Sequence, residues 1–198
     1  NKQQFISACD RIAHILGDKP DEFERRHVLV ESYINGLEVA YEGFLHYGEL
    51  KTLVIFDKPD PLTGPFFEET IYVTPSGLST EVQSLIKKQV ALACKAYGLR
   101  TGPVHAELRI NDEAAWILEV AARTIGGQCA KLLKHGTGHG LEELVTTHAI
   151  GKTLSPHHST SASGVLMIPS PNNSILHRVE SLPSQRPAEH ILAVINYM

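Results

Sequence analysis

Apolar and polar positions alternate with period two along VHAELRI: Val104, Ala106, Leu108 and Ile110 share one strand face, and His105, Glu107 and Arg109 share the other. The same spacing in AWILEVAAR sets Ile117, Glu119, Ala121 and Arg123 against Trp116, Leu118 and Val120. The polar NDEA between these runs predicts a hairpin. With Asn111 opposite Ala115, Glu107 falls opposite Glu119. Like charges facing across a ladder destabilise it unless something positive sits between them, so this pattern points to a cation.

Elsewhere the pattern changes period. Phe5, Ile6, Ala8, Cys9, Ile12, Ile15 and Leu16 form one helical stripe that Gly17 stops. HVLVESYI reads as a strand, and VAYEGFLHYGELKTLVIF as two strands joined at Tyr47-Gly48-Glu49. DKPDPLTGP is a loop, and FFEETIYV a further strand ended by TPSG. Ser79 or Thr80 can cap a helix through EVQSLIKKQVALACKAY that closes at Gly98. After the hairpin, Gly126-Gly127 leads into QCAKLLKHG, and LEELVTTHAIG makes a short helix. SPHHSTSASG reads as a polar linker; VLMIP, ILHRV and HILAVI are short strand-like runs beyond it. The order predicts an α+β fold with an antiparallel sheet packed by helices.

Composition narrows the function classes. The 198 residues are 42% hydrophobic and 20% charged, with a formal net charge of −4, which gives no basic surplus for nucleic acid. No apolar run is long enough to span a bilayer, and the start carries no signal-peptide pattern. Three cysteines without CxxC spacing favour a reducing compartment, hence the cytoplasm. The first residue is Asn1 rather than methionine, which suggests a piece of something longer.

The chemistry concentrates in three places. Glu107 and Glu119 are hard oxygen ligands suited to magnesium; the plain alternative is a solvated strand face. Arg123 falls on the same face as Glu119 and could hold a phosphoryl or carboxylate group, or simply neutralise a glutamate. Amides at Gly126-Gly127 open a helix and form an anion site, with an ordinary turn as the competing reading. In VESYINGLE, Glu31 and the backbone of Ser32, Tyr33 and Ile34 could read an adenine edge, and Glu38 could accept ribose hydroxyls; two surface glutamates are the plain reading. Lys58 sits in a loop of functional length and can reach a phosphate, or be merely solvated, while Phe66, Phe67, Glu68 and Glu69 could line a substrate entrance. Among eleven histidines, His135 with His139 and His157 with His158 lack a third zinc ligand; His105, beside Glu107, is the better candidate, for packing or support.

Together these residues resemble the ATP-grasp superfamily of carboxylate–amine ligases, which includes biotin carboxylase, carbamoyl-phosphate synthetase and glycinamide-ribotide ligases. VLVESYINGLE looks like the family's linker strand and ribose-binding stretch, and HAELR followed by ILEVAARTIGG looks like its metal-binding hairpin. The resemblance implies ATP and Mg2+ (or Mn2+) as cofactors, Glu107 and Glu119 as metal ligands, and Arg123 as a catalytic group, beside which Lys58 is a second catalytic candidate through its own reach to a phosphate. It assigns nucleotide contacts to Glu31, Ser32, Tyr33, Ile34, Glu38, Gly126 and Gly127. The activity implied joins a small carboxylate to an amine through an acyl phosphate, with no nucleic-acid or membrane partner and a homodimer as an open option. Alternatives are a biotin-type carboxylase or a non-catalytic ATP-binding module. The family usually has asparagine two residues after the second glutamate, where this chain has Ala121. Its glycine-rich phosphate loop is expected upstream of Asn1. The chain then divides into a remnant of the central subdomain (1–35), the C-terminal ATP-grasp subdomain (36–152) and a partial β-rich extension (160–198), inactive in isolation.

Overall fold

The computed structural model describes residues 1–62, 67, 69–152 and 161–168. Six strands, β1 (Leu37–His46), β2 (Glu49–Lys58), β3 (Ile71–Thr74), β4 (Gly102–Ile110), β5 (Ala115–Ala121) and β6 (Ser163–Leu166), form one antiparallel sheet in the order β5-β4-β1-β2-β3-β6. The helices are α1 (Lys2–Leu16), α2 (Glu22–Arg26), α3 (Thr80–Ala96), α4 (Cys129–Thr137) and α5 (Leu141–Ala149). The expected α+β architecture, an antiparallel sheet packed by helices, is the one observed.

Helix α3 begins where the Ser79 hydroxyl accepts the Val82 amide, and it buries Ile86, Val90 and Cys94 at successive four-residue steps. That stripe packs on Val39, Tyr41, Leu45, Ile55, Val104, Ala106 and Leu108. Each such side chain taken from water contributes about 1.5 to 3 kcal/mol, so this face anchors the fold. The opposite face is also covered. Ala40, Phe56 and Tyr72 pack with Ile125, Cys129 and Leu132, and Phe44 and Leu53 pack with Leu133 and Leu144. On β4 the polar side chains of His105 and Arg109 are buried on this face as well.

The hairpin between β1 and β2 turns on Tyr47 (φ 49°) and Gly48 (φ 92°), both in the left-handed region that a two-residue hairpin demands. Gly36 (φ 130°) leads into β1 where the chain crosses the end of β4, and a Cβ there would lie 2.2 Å from the Ile110 carbonyl oxygen.

Four expectations need correction or restriction. HVLVESYI is not a strand: residues 27–35 pair with no strand among the described residues, and Leu29 is 81% exposed, so the segment lacks the ladder partner that would make it one. The strand expected from Phe66 begins only at Ile71, because Glu69 and Thr70 turn their side chains to Lys58 and Asp60. In the β4–β5 hairpin Glu107 does face Glu119, but Ile110 rather than Asn111 pairs with Ala115. A bulge beyond Glu107 absorbs the extra residue of β5 and breaks the alternation. Ile117 and Val120 consequently share the α3 side, and Ile117 does not lie with Glu119. Finally, ILHRV and HILAVI lie outside the described residues, and of VLMIP the part up to Leu166 belongs to β6, which joins the same sheet beside β3.

Candidate functional site

Three central strands build the site by register. Glu38 of β1 stands opposite Lys58 of β2 and Arg109 of β4; Ala40 stands opposite Phe56 and Glu107; Glu42 stands opposite His105. Glu38, Ala40 and Glu42 share a face because they alternate along EVAYE, and Ala40 leaves room between the two carboxylates.

At the centre lies the Lys58 side chain, 1% exposed, whose Nζ donates to Glu38 Oε1 (2.9 Å), Glu69 Oε1 (2.6 Å) and Glu107 Oε1 (3.0 Å). These three glutamates bring carboxylate oxygens within 4.8 Å of one another. Burial opposes the charge on Lys58, but the surrounding carboxylates outweigh it and raise its pKa. Lys58 is thus not a loop residue but the last residue of β2 and the hub of the cluster.

Arg109 extends the network toward the 31–35 segment. Its Nε donates to Glu38 Oε2 at 2.8 Å and a terminal nitrogen donates to the Ile34 carbonyl at 2.6 Å. Its guanidinium carbon sits 5.0 Å from the Tyr33 ring centre and 5.4 Å from that of Phe67, a cation–π arrangement that steadies both. Glu38 is therefore buried, with one oxygen on Lys58 and the other on Arg109.

On the other side, His105 Nδ1 contacts Glu42 Oε1, and His105 Nε2 lies 3.6 Å from Glu107 Oε1. Burial disfavours the imidazolium, yet Glu107 and Glu42 outweigh it and hold the His105 pKa at about 9, against an ordinary 6.5. Glu107 moves the other way: burial raises its pKa, but bonding from His105 and the charge of Lys58 bring it down to about 2. Four carboxyl groups (Glu38, Glu42, Glu69, Glu107) and three basic groups (Lys58, Arg109, His105) thus form one connected network.

A stability prediction follows. A histidine whose pKa is raised by folding stabilises the native state fully below about 6.5, and this contribution fades as pH rises through about 9. Thermal melts across that window should show the wild-type Tm falling by the equivalent of roughly 3 kcal/mol. In His105→Gln this part of the decline should be missing, and an undiminished decline would remove the assignment.

Glu119 and Arg123 lie at the rim. Their side chains are 55% and 59% exposed, with Arg123 3.7 Å from Glu119 and donating to the Thr124 carbonyl at 3.0 Å. Gly126 and Gly127 (φ 61°) precede α4, which starts at Cys129. Burial, with Glu69 and Glu42 nearby, pushes the Cys129 thiol up to about 12, so it packs rather than reacts.

Beside the cluster opens a cleft of about 470 Å3, lined by Glu31, Ser32, Tyr33, Ile34 and Asn35 on one side and Asn111, Glu113, Trp116, Ile117 and Leu118 on the other. The structure thus gathers the expected residues into three adjoining groups: 31–34 at the cleft, Glu38, Lys58 and Glu107 in the buried cluster, and Glu119, Arg123 and the two glycines at the rim. Phe66 and Glu68 lie outside the described residues. Sequence reasoning missed Glu42, Arg109 and Trp116 as site residues. The signal for Glu42 was present in EVAYE, whose alternation puts it on the face of Glu38.

A family model described as the ATP-grasp domain matches residues 1–131. No curated protein sequence matches the chain. An L-amino acid ligase from Bacillus licheniformis is 27% identical with a TM-score of 0.74, over 86% of this chain and 43% of that one. The biotin carboxylase domain of the Hydrogenobacter thermophilus 2-oxoglutarate carboxylase, solved with MgADP and bicarbonate, is 16% identical with a TM-score of 0.62, over 83% and 36%. A phosphoribosylglycinamide synthetase from Anaerococcus prevotii is 19% identical with a TM-score of 0.51, over 61% and 30%. The chain spans less than half the length of each of these structures. A family match over residues 1–131 takes in the cleft segment, the Lys58 cluster and both facing glutamates, so the carboxylate hairpin and its neighbours make this chain a member of the ATP-grasp family.

Proposed function

We propose that this chain is the nucleotide- and metal-handling part of an ATP-dependent carboxylate–amine ligase. The observation that carries the reading is the facing pair Glu107 and Glu119, set between an open cleft and the arginine- and glycine-bearing loop that leads into α4. The likeness to an L-amino acid ligase at 27% identity supports it.

Magnesium fits Glu107 and Glu119: Glu107 is held ionised by its neighbours, and Glu119 faces it from an exposed position. Bound there, the ion would neutralise and align phosphate oxygens. The chain's own residues do the rest. Glu31 and the Ser32 to Ile34 backbone orient the base, with Trp116 and Leu118 as the facing apolar wall. Glu38 serves the ribose through its remaining lone pairs while supporting Lys58 and Arg109. Lys58 offsets the carboxylates and supplies positive charge near the reacting phosphoryl group. Arg123 and the amides of Gly126 and Gly127 stabilise the anion that develops as a substrate carboxylate takes the γ-phosphoryl group. An amine then displaces phosphate from the acyl phosphate.

Trp116, the one tryptophan among these 198 residues, lines the cleft and is 40% exposed, so the part of the fluorescence that Trp116→Phe removes reports on the cleft. Adding ATP to the full-length protein should change its fluorescence saturably, and Tyr33→Ala should weaken that titration. A silent Trp116 alongside calorimetrically measured ATP binding would place the nucleotide elsewhere. The reaction itself is tested by phosphate release from ATP that requires both an acid and an amine. Ala121, opposite His105 where the family usually has asparagine, favours the rival reading of a non-catalytic ATP-binding module, which predicts binding without release.

A further inference from the structure

We propose that the buried pair Glu42 and His105 is a positioning device that locks the loop carrying Arg123, Gly126 and Gly127 to the metal-ligand carboxylate of Glu107. The proposal rests on the proposed metal site at Glu107 and Glu119, and on the ligase reading for its activity arm.

The two residues stand opposite each other in the β1–β4 ladder, 1% and 4% exposed. Glu42 divides its oxygens between two parts of the chain: Oε1 meets His105 Nδ1, and Oε2 accepts the backbone N–H of Ile125 at 3.1 Å. The opposite edge of the His105 ring, Nε2, faces Glu107 Oε1 at 3.6 Å. A continuous polar line therefore runs from the Ile125 amide through Glu42 and His105 to Glu107. Ile125 lies midway between Arg123 and Gly127, so its amide fixes the height of the whole segment above the sheet.

Burial raises the Glu42 pKa, and bonding from His105 only partly offsets this, so the fold bears a cost in keeping the group here. Neighbouring positions on this face hold Ala40, Phe44 and Phe56, and an apolar pair at 42 and 105 would satisfy packing as well or better. What an apolar pair cannot do is accept the Ile125 amide and hold an imidazole against Glu107. Such supporting contacts typically govern affinity and rate at a metal site rather than fold stability.

The test is made in the full-length protein with the double variant Glu42→Leu/His105→Leu. Positioning predicts a variant that folds cooperatively, with an unchanged Trp116 nucleotide titration. It also predicts Mn2+ affinity, read by electron paramagnetic resonance without nucleotide, weakened about tenfold or more. In turnover, kcat should fall by about ten- to hundredfold with the KM for ATP unmoved. Wild-type Mn2+ affinity in a folded double variant, or a wild type that binds no Mn2+, overturns the proposal. Should the double variant fail to fold, His105→Gln decides: Glu42 still accepts from Ile125, so the fold and nucleotide titration should stand while the link to Glu107 is cut and Mn2+ binding weakens, and unchanged Mn2+ binding overturns the proposal. If the wild type binds Mn2+ and turns over no acid and amine, the ligase reading fails while the Mn2+ comparison still decides this one.

Discussion

Glu119→Gln is expected to reduce acid- and amine-dependent phosphate release by roughly a thousandfold, equivalent to about 4 kcal/mol of transition-state stabilisation, while the protein folds as before. The two halves of this expectation have separate physical origins. Glutamine keeps the shape of the side chain but not the full charge that the proposed magnesium site needs opposite Glu107. Glu119 is 55% exposed and its ion partner Arg123 lies 3.7 Å away at the surface, so removing the charge alters stability by about 0.5 kcal/mol or less. The measurement is steady-state phosphate release at saturating magnesium beside a thermal melt. Turnover within a few-fold of wild type would remove Glu119 from the metal site.

Lys58→Met is expected to have the largest effect on stability, about 3 to 5 kcal/mol, a Tm fall of about 10 °C. The substitution preserves length and apolar stem but leaves Glu38, Glu69 and Glu107 without the ammonium that all three touch. Its pH dependence distinguishes lost charge from lost packing. Carboxylates that lose the ammonium in this variant are easier to protonate than in the wild type, so their destabilisation grows as pH rises above their unfolded values and fades as they protonate. The gap between variant and wild type should therefore be widest near neutrality and narrow toward about pH 4. A gap constant with pH would mean that Lys58 acts as filler. Catalysis should fall as well, because the proposed site loses both a positive charge and the order of Glu107.

The strands of this protein were legible where alternation is clean. VHAELRI and its partner gave the hairpin and the facing glutamates, because side-chain direction is tied to period two. The bulge beyond Glu107 was not legible: it arises from fitting the β5 side chains to α3, where Ile117 and Val120 both seek the core. Whether the polar face of β4 meets solvent was left open, because the groups that bury His105 and Arg109, among them Glu42, Tyr33 and Phe67, lie far along the chain. Lys58 read as a loop cation because the prolines after it ended the apolar pattern, yet its three carboxylates come from β1, from Glu69 and from β4. Arg109 was placed on the right face, but its packing between Tyr33 and Phe67 depends on tertiary contacts that no local spacing encodes. HVLVESYI has the β-branched composition of a strand and remains unpaired among the described residues. Composition states what a segment can pair with, not whether a partner lies beside it.

Trapping the activated acid decides whether this chain belongs to a ligase that works through an acyl phosphate. Full-length protein is incubated with MgATP, hydroxylamine and each of a panel of amino acids, bicarbonate and other small acids, and the hydroxamate is measured beside ADP. Hydroxamate is expected with one class of acid, stoichiometric with ADP and absent in Glu119→Gln. ATP binding reported by Trp116, with neither hydroxamate nor acid-dependent ADP from any acid, would contradict it and leave a nucleotide-binding module in its place.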